Sequence, residues 1–390
     1  MLKVGIFTDT YFPQVNGVAI SIATLKTNLE ILGHEVHVFT TTNPKIPQEE
    51  KNIYRISSIP VVCEHRLATF YKVHLATKIK SLNLDIVHTH TEFSLGVFGR
   101  LMAKRLKIPH IHTYHTIYED YTHYFIKSRR FGELGKSIAR KISKKFCNMT
   151  DIVIVPTAKV KDLLQFYGVN KEMFVIPTGI NLNKFITTDS KKVQKEIKRK
   201  QLGIKTRQKV ILYIGRISHE KNIEELFYHL QTYIKKNDFK FVLVGDGPQR
   251  SKLEVLVRQF NIGNYVKFVG EVPWELVMSY YQIGDVFVSA SQSETQGLTY
   301  IEALASGLPV VAKKDPCLIG VIENAVNGYT FENKDMFLQA LDAILNSPEH
   351  KEKLAMNAAK SAKKFSEKIF SKNVETLYHQ ALENNHKRIK

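Results

Sequence analysis

The chain has 390 residues, more than one hydrophobic core usually serves, so its length favours two domains, or three. Hydrophobic residues at 44% and charged residues at 24%, with only 20 Gly and 12 Pro, exclude collagen-like, disordered and mucin-like chains. Against 37 Asp and Glu stand 56 Lys and Arg, a net +19 that points toward an anionic partner: nucleic acid, an acidic membrane or a phosphorylated substrate.

From the first residue, short β-branched runs alternate with longer amphipathic stretches, the pattern of βαβ units around a buried parallel sheet. The first half predicts strands at 3–9, 35–41, 85–90, 108–115 and 151–157, with helices near 17–32, 67–82, 94–106, 132–146 and 158–167. A linker is expected near 178–185, followed by a lysine-rich stretch at 187–208 that reads as a solvated helix and loop. The alternation then resumes with strands at 209–216, 240–248, 265–272, 285–291, 308–314 and 327–331, and the last forty residues read as two helices. Two doubly wound α/β halves follow.

Charge is unevenly spread: +7 falls in 127–145, +7 in 181–207 and +6 in 351–390, while 208–350 carries −4. Cys63, Cys147 and Cys317 are too few and too scattered for a disulfide framework or a zinc site, which suits small core residues in a reducing compartment. The apolar run before Asp9 is too short for a signal peptide and no window approaches a membrane span, so an intracellular protein is expected.

The first strand runs into a loop where Gly17 opens the next helix, so that backbone amides can meet phosphate oxygens. The dinucleotide G-x-G-x-x-G spacing is missing there and again at Gly245-Asp246-Gly247, and no Walker sequence occurs. At the end of the first strand of the second half stands Gly215-Arg216 with Lys221, two cations beside a glycine turn, suited to gripping a diphosphate. Further on, Glu294 and Glu302 are separated by seven intervening residues, with Gln296, Gly297, Leu298 and Thr299 in a turn that opens a helix. Helix amides facing an anion, with carboxylates for hydroxyls on either side, suit a nucleotide sugar.

Together these residues resemble the retaining glycosyltransferases of family 4. The resemblance implies the GT-B architecture, two Rossmann-like doubly wound parallel-sheet domains with an interdomain cleft. It implies residues 1–180 plus about 371–390 as an acceptor and membrane-binding domain, the last helix crossing back onto it, and 181–370 as the donor domain. It also implies catalytic roles for His115, Glu294, Arg216 and Lys221. Arg216 and Lys221 would bind the diphosphate, Glu294 and the amides near Gly297 the sugar hydroxyls, and Glu302 the ribose. No cofactor or metal is required for the proposed step. Ten of the fifteen histidines precede residue 124, yet the HTH and HIH runs lack accompanying acidic or cysteine ligands, so buried hydrogen-bonded histidines are expected. His115 stands at the carboxyl end of its predicted strand, where open α/β sheets place ligands.

The aromatic string at 112–125 resembles the diacylglycerol-glucosylating members of the family. That implies a UDP-sugar donor, UDP-glucose, and transfer to the 3-hydroxyl of 1,2-diacylglycerol, with another family 4 donor or acceptor as the alternative: a second sugar onto a glycolipid, phosphatidylinositol or a cell-wall precursor. Glu119 and Asp120 read as acceptor-loop residues. In the following basic stretch, Phe131, Leu134, Ile138, Ile142 and Phe146 recur at helical spacing, a stripe expected to pack on the core. Lys127, Arg129, Arg130, Lys136, Arg140, Lys141, Lys144 and Lys145 remain for anionic lipid, and 66–82 is a second basic amphipathic candidate. A peripheral protein on the cytoplasmic face of the membrane is expected. Nucleic acid is disfavoured because the aromatic string ends where the basic block begins.

Overall fold

A computed structural model describes all residues except 15, 44–49, 62–65, 70–72, 122–128, 186–188 and 390. The chain divides into two compact units, Met1–Gly179 with Glu367–Lys390, and Ile180–Ser366.

The first unit is built on a parallel sheet of β1 (Lys3–Phe7), β2 (Glu35–Thr41), β3 (Ile53–Ile56), β6 (Ile86–Thr89), β7 (His110–Thr113), β8 (Ile152–Val155) and β9 (Met173–Val175). A small antiparallel pair, β4 (Ser58–Pro60) with β5 (Arg66–Ala68), stands apart from it. The spatial order β3-β2-β1-β6-β7-β8-β9 reverses direction between β1 and β6. Helices α1 (Gly17–Ile31), α2 (Val73–Ser81), α3 (Ser94–Leu106), α4 (Arg129–Asn148) and α5 (Ala158–Phe166) belong to this unit. The central strands β1, β6, β7 and β8 are almost wholly buried, as strands inside a parallel sheet must be, while the edge strands β3 and β9 are only partly covered.

The second unit repeats the scheme with β10 (Val210–Ile214), β11 (Lys240–Val244), β12 (Val266–Gly270), β13 (Val286–Ser289), β14 (Val310–Lys313) and β15 (Gly328–Phe331). Their order, β12-β11-β10-β13-β14-β15, is the doubly wound Rossmann order, and the switch lies between β10 and β13. Around it lie α6 (Asp189–Gln201), α7 (Ile223–Asn237), α8 (Arg250–Gln259), α9 (Trp274–Tyr281), α10 (Leu298–Ala305), α11 (Lys334–Leu345) and α12 (Pro348–Ala362). Two apolar clusters cover the two faces of this sheet.

The terminal helix α13 (Glu367–Ile389) returns to the first unit, where Phe370, Val374, Leu377, Tyr378 and Ala381 share a core with Val4, Ile6 and Ile22. Polar contacts fix its register: His34 Nε2 lies 2.9 Å from Glu375 Oε1, and Tyr378 Oη lies 2.8 Å from His88 Nδ1.

Three local expectations need correction. Segment 66–82 is not one interfacial helix: β5 occupies its start, and α2 turns Leu75, Ala76 and the fully buried Ile79 toward the core. The lysine-rich stretch is not wholly solvated either. Arg199 of α6 is buried, its guanidinium donating to Ile283 O at 3.0 Å and Gln208 O at 2.5 Å. The third concerns the α4 stripe, described below. Cys147 and Cys317 are free thiols in the core, and Cys63 lies outside the described residues.

Candidate active site

In the second unit the chain leaves β10 through Gly215, whose φ of 152° is open to glycine. A Cβ on Gly245, which follows β11, would sit 2.0 Å from Gly215 O, so only glycine lets these two loops touch. Just beyond, Arg216 Nη2 donates to Glu220 Oε1 at 2.6 Å, and Ser218 Oγ donates to the same oxygen at 2.6 Å. Burial raises the Glu220 carboxyl, but these hydrogen bonds and the guanidinium charge outweigh it and hold the group below its ordinary value. Glu220 therefore stays ionised and aims Arg216.

Lys221 closes the gap to the neighbouring strand. Its Nζ donates to Glu294 Oε1 at 2.5 Å, each side chain 17% exposed, and Ser293 Oγ donates to Glu220 O at 3.2 Å. The loops after β10 and β13 are thus stitched together at the switch point, where open α/β sheets bind ligands. Gly297 then caps α10 at φ 73°, and a Cβ there would strike the Tyr300 ring at 2.3 Å. Gln296 is buried, and the helix begins at Leu298 and Thr299. Glu302 sits on the second turn, where Tyr281 Oη donates to its Oε2 at 2.7 Å. Burial pushes its carboxyl up to about 7, only partly offset by that hydrogen bond.

The first unit has its own reversal between β1 and β6, and polar groups cluster there. Gly17 opens α1, capped by Asn16 Oδ1, which accepts from Ala19 N at 2.9 Å. The Asp9 carboxylate accepts from Ser94 Oγ, from Thr91 Oγ1 at 2.7 Å and from Leu95 N at 3.1 Å, tying β1 to the start of α3. Burial nevertheless raises the Asp9 carboxyl above its ordinary value.

His115 is held by a second histidine. Its Nε2 lies 2.9 Å from His90 Nδ1, with the rings stacked at 5.1 Å. Burial and the nearby His112 push the His115 imidazole down to about 3, and burial among histidines lowers His90 well below its ordinary range. Both rings are therefore neutral at physiological pH, and one donates to the other. His88 bonds Thr113 Oγ1 at 2.7 Å as well as Tyr378, and His110 and His112 both meet Thr89 Oγ1 at 2.9 Å. His112 Nε2 also lies 3.1 Å from Glu92 Oε1, and Tyr118 Oη donates to Glu92 Oε2. The histidines are thus hydrogen-bonded, and among the described residues no group of three or more His, Cys, Asp or Glu could hold a metal.

The expectation for α4 is overturned. Leu134, Ile138 and Ile142 are 56%, 49% and 44% exposed, and only Phe146 of the described stripe is buried. The helix instead packs by its small residues: Gly135, Ser143 and Cys147 face inward, and Ser143 Oγ lies 2.9 Å from Tyr114 Oη. The cations differ in use. Arg140 grips Glu119 with two hydrogen bonds of 2.7 and 2.8 Å, and Lys136 pairs with Glu133 at 2.9 Å. Lys144 lies against Gly168, where a Cβ would fall 2.7 Å from its Nζ. Lys141 and Lys145 are exposed beside the apolar row. Lys127 and the side chains of Arg129 and Arg130 lie outside the described residues.

Residues 15–184 match the family "Glycosyltransferase Family 4", and residues 194–361 match "Glycosyl transferases group 1". An alpha-monoglucosyldiacylglycerol synthase of Streptococcus pneumoniae is 40% identical over 98% of this chain and 87% of its own length. The chain belongs to glycosyltransferase family 4. A second alpha-monoglucosyldiacylglycerol synthase, from Acholeplasma laidlawii, is 35% identical over 100% of this chain and 99% of its own. Among solved structures, a sucrose-phosphate synthase from Thermosynechococcus elongatus shares the fold with a TM-score of 0.77, at 22% identity over 97% of this chain and 99% of that one. The two doubly wound sheets of this glycosyltransferase are accordingly those of the GT-B architecture.

Sequence reasoning missed several groups around the named residues of this glycosyltransferase. Glu220 was hidden inside GRISHEKN as one more surface charge. His90 is two residues from His88 and looked like core, while Tyr281 carries no sequence signal linking it to Glu302. A strand-end position was the only clue to His90, and it is the same clue that singled out His115.

Proposed function

We propose that this glycosyltransferase moves glucose from UDP-glucose to the 3-hydroxyl of 1,2-diacylglycerol with retention, forming alpha-monoglucosyldiacylglycerol. The observation that carries this reading is the full-length similarity to two alpha-monoglucosyldiacylglycerol synthases. Further support comes from the two cations beside Gly215, the Glu294 to Glu302 segment and the exposed apolar row with lysines on α4. Among the described residues no helix is long and apolar enough to cross a membrane. In this reading the enzyme works peripherally, on the cytoplasmic face, with its first unit taking the lipid and its second the donor.

In the proposed step the acceptor oxygen attacks the anomeric carbon from the face that the diphosphate leaves. The C1–O bond to phosphate breaks, the acceptor C1–O bond forms, and the acceptor proton passes to the departing phosphate oxygen. Charge builds on UDP, and Arg216 and Lys221 are the groups to stabilise it. Glu294 would exchange part of its pairing with Lys221 for sugar hydroxyls, Glu302 would accept from the ribose, and neutral His115 would offer the sugar a hydrogen bond without repelling positive charge on the ring.

The deciding experiment supplies UDP-glucose or UDP-galactose with vesicles containing dioleoylglycerol, and identifies products by mass and anomeric NMR. An α-linked glucosyl lipid is expected. A β-linkage, a galactosyl product, or transfer only to another acceptor would replace the reading.

A further inference from the structure

We propose that α3 forms a second arm of the bilayer-docking surface, so that the enzyme rests on anionic lipid through two adjacent helices. The inference rests on the reading that the enzyme acts at a membrane. Its starting point is a row of exposed apolar side chains at i, i+4 and i+8: Phe93 at 42%, Val97 at 41% and Leu101 at 48% exposed. The opposite face of α3 is fully committed to the core through Leu95, Phe98, Met102 and Ala103, so the outer row is surplus to folding. Residues 94–107 carry Arg100, Lys104, Arg105 and Lys107 with no acid, and Lys104 and Arg105 flank the row on the helix surface.

Three contacts place α3 beside α4 and the turn that precedes it. The Phe146 ring packs at Gly96, where a Cβ would lie 3.4 Å from it. Arg100 Nη2 reaches Met149 Sδ, 2.9 Å away, and Met149, itself exposed, extends the line of Leu134, Ile138 and Ile142. Phe93 stands edge-on to Tyr118 at 5.4 Å, in the turn whose Glu119 is gripped by Arg140 of α4. The occupant that matches a broad apolar face rimmed by cations and nearly free of acids is the interface of an anionic bilayer, where chains take the apolar side chains and headgroups the lysines and arginines. It sits directly beyond the polar cluster containing His90 and Glu92, which precede Phe93 in sequence, so lipid leaving the bilayer here would emerge beside the proposed acceptor site.

The test uses the full chain and vesicles of phosphatidylcholine with or without phosphatidylglycerol, with Val97→Glu and Leu101→Glu as perturbations. Vesicle sedimentation should show at least about a tenfold weaker partition for the double variant, from lost apolar burial and added repulsion. Turnover of dissolved dioctanoylglycerol should stay near wild type. In Leu101→Trp, which keeps the surface apolar, emission should shift to the blue on adding anionic vesicles and be quenched by brominated lipid, after subtraction of Trp274. Unchanged partition, or emission from the introduced indole that is blind to lipid, overturns the proposal. So does a wild-type dimer in solution that the glutamates dissociate without affecting vesicle binding. If instead the wild type makes no glucosyl lipid, the functional reading falls, whatever the vesicles show.

Discussion

Glu302 should make the second unit less stable as pH rises from about 4.5 to about 7, and Glu302→Gln should remove that dependence. Its carboxyl is fully buried beside Tyr281, and burial lifts it from 4.5 to about 7. A group raised in the folded state holds its proton there while the unfolded chain has already released its own. Its contribution is thus complete below 4.5 and gone above about 7, a difference worth about 3 kcal/mol at most. The single tryptophan, Trp274, lies in the same unit and opens the helix that carries Tyr281, so its emission reports the unfolding that matters. Urea titrations at pH 5 and pH 8 should show the wild type losing stability with pH and the glutamine variant, which keeps a partner for Tyr281 but no charge, losing less. Equal slopes would mean that Glu302 ionises near its ordinary value and that the burial argument is wrong. Donor binding should respond in the opposite sense: if the carboxylate accepts from the ribose, affinity for UDP-glucose should rise across pH 7 in the wild type and stay flat in the variant.

Arg216→Ala or Glu294→Ala should lower kcat/KM by about 10²- to 10³-fold while vesicle binding stays intact, and near wild-type turnover would remove these residues from the site. Arg140→Ala should weaken vesicle binding less than Lys141→Ala or Lys145→Ala, because its guanidinium already serves Glu119; an equal or larger loss in a sedimentation assay would refute that division. Tyr378→Phe should destabilise the first unit by about 1–3 kcal/mol in thermal or urea unfolding, since it strips a buried ring nitrogen of its partner. An unaltered transition would show that His88 finds another.

The alternation of apolar runs with amphipathic stretches was enough to predict two parallel sheets, because βαβ units admit few arrangements. The loops that carry Gly215, Arg216, Lys221 and Glu294 were legible for a related reason: short polar segments at the carboxyl ends of buried strands are where such sheets bind. What stayed illegible depends on long-range packing. Tyr378 meets His88 from 290 positions away, and nothing near either residue announces it. Helical spacing found the row of Leu134, Ile138 and Ile142 but not its direction, since Gly135, Ser143 and Cys147 give the opposite face a closer fit to the core. Nor could spacing separate Arg199, buried on backbone carbonyls, from the exposed lysines beside it.

That sorting changes what the net +19 can do. Arg199 is structural, Lys221 and Arg216 face carboxylates at the proposed donor site, and Arg140 and Lys136 have carboxylate partners of their own. Lys141, Lys145, Lys104 and Arg105 are among the described cations that flank exposed apolar rows. Each such cation contributes about 1 kcal/mol near an anionic surface, and that attraction fades within roughly a Debye length of 8 Å at physiological ionic strength. A handful of cations so screened gives reversible attachment at best. The apolar rows are the part that salt does not screen, so on the proposed docking surface charge would supply the preference for anionic lipid while Val97, Leu101, Ile138 and Ile142 would supply the grip.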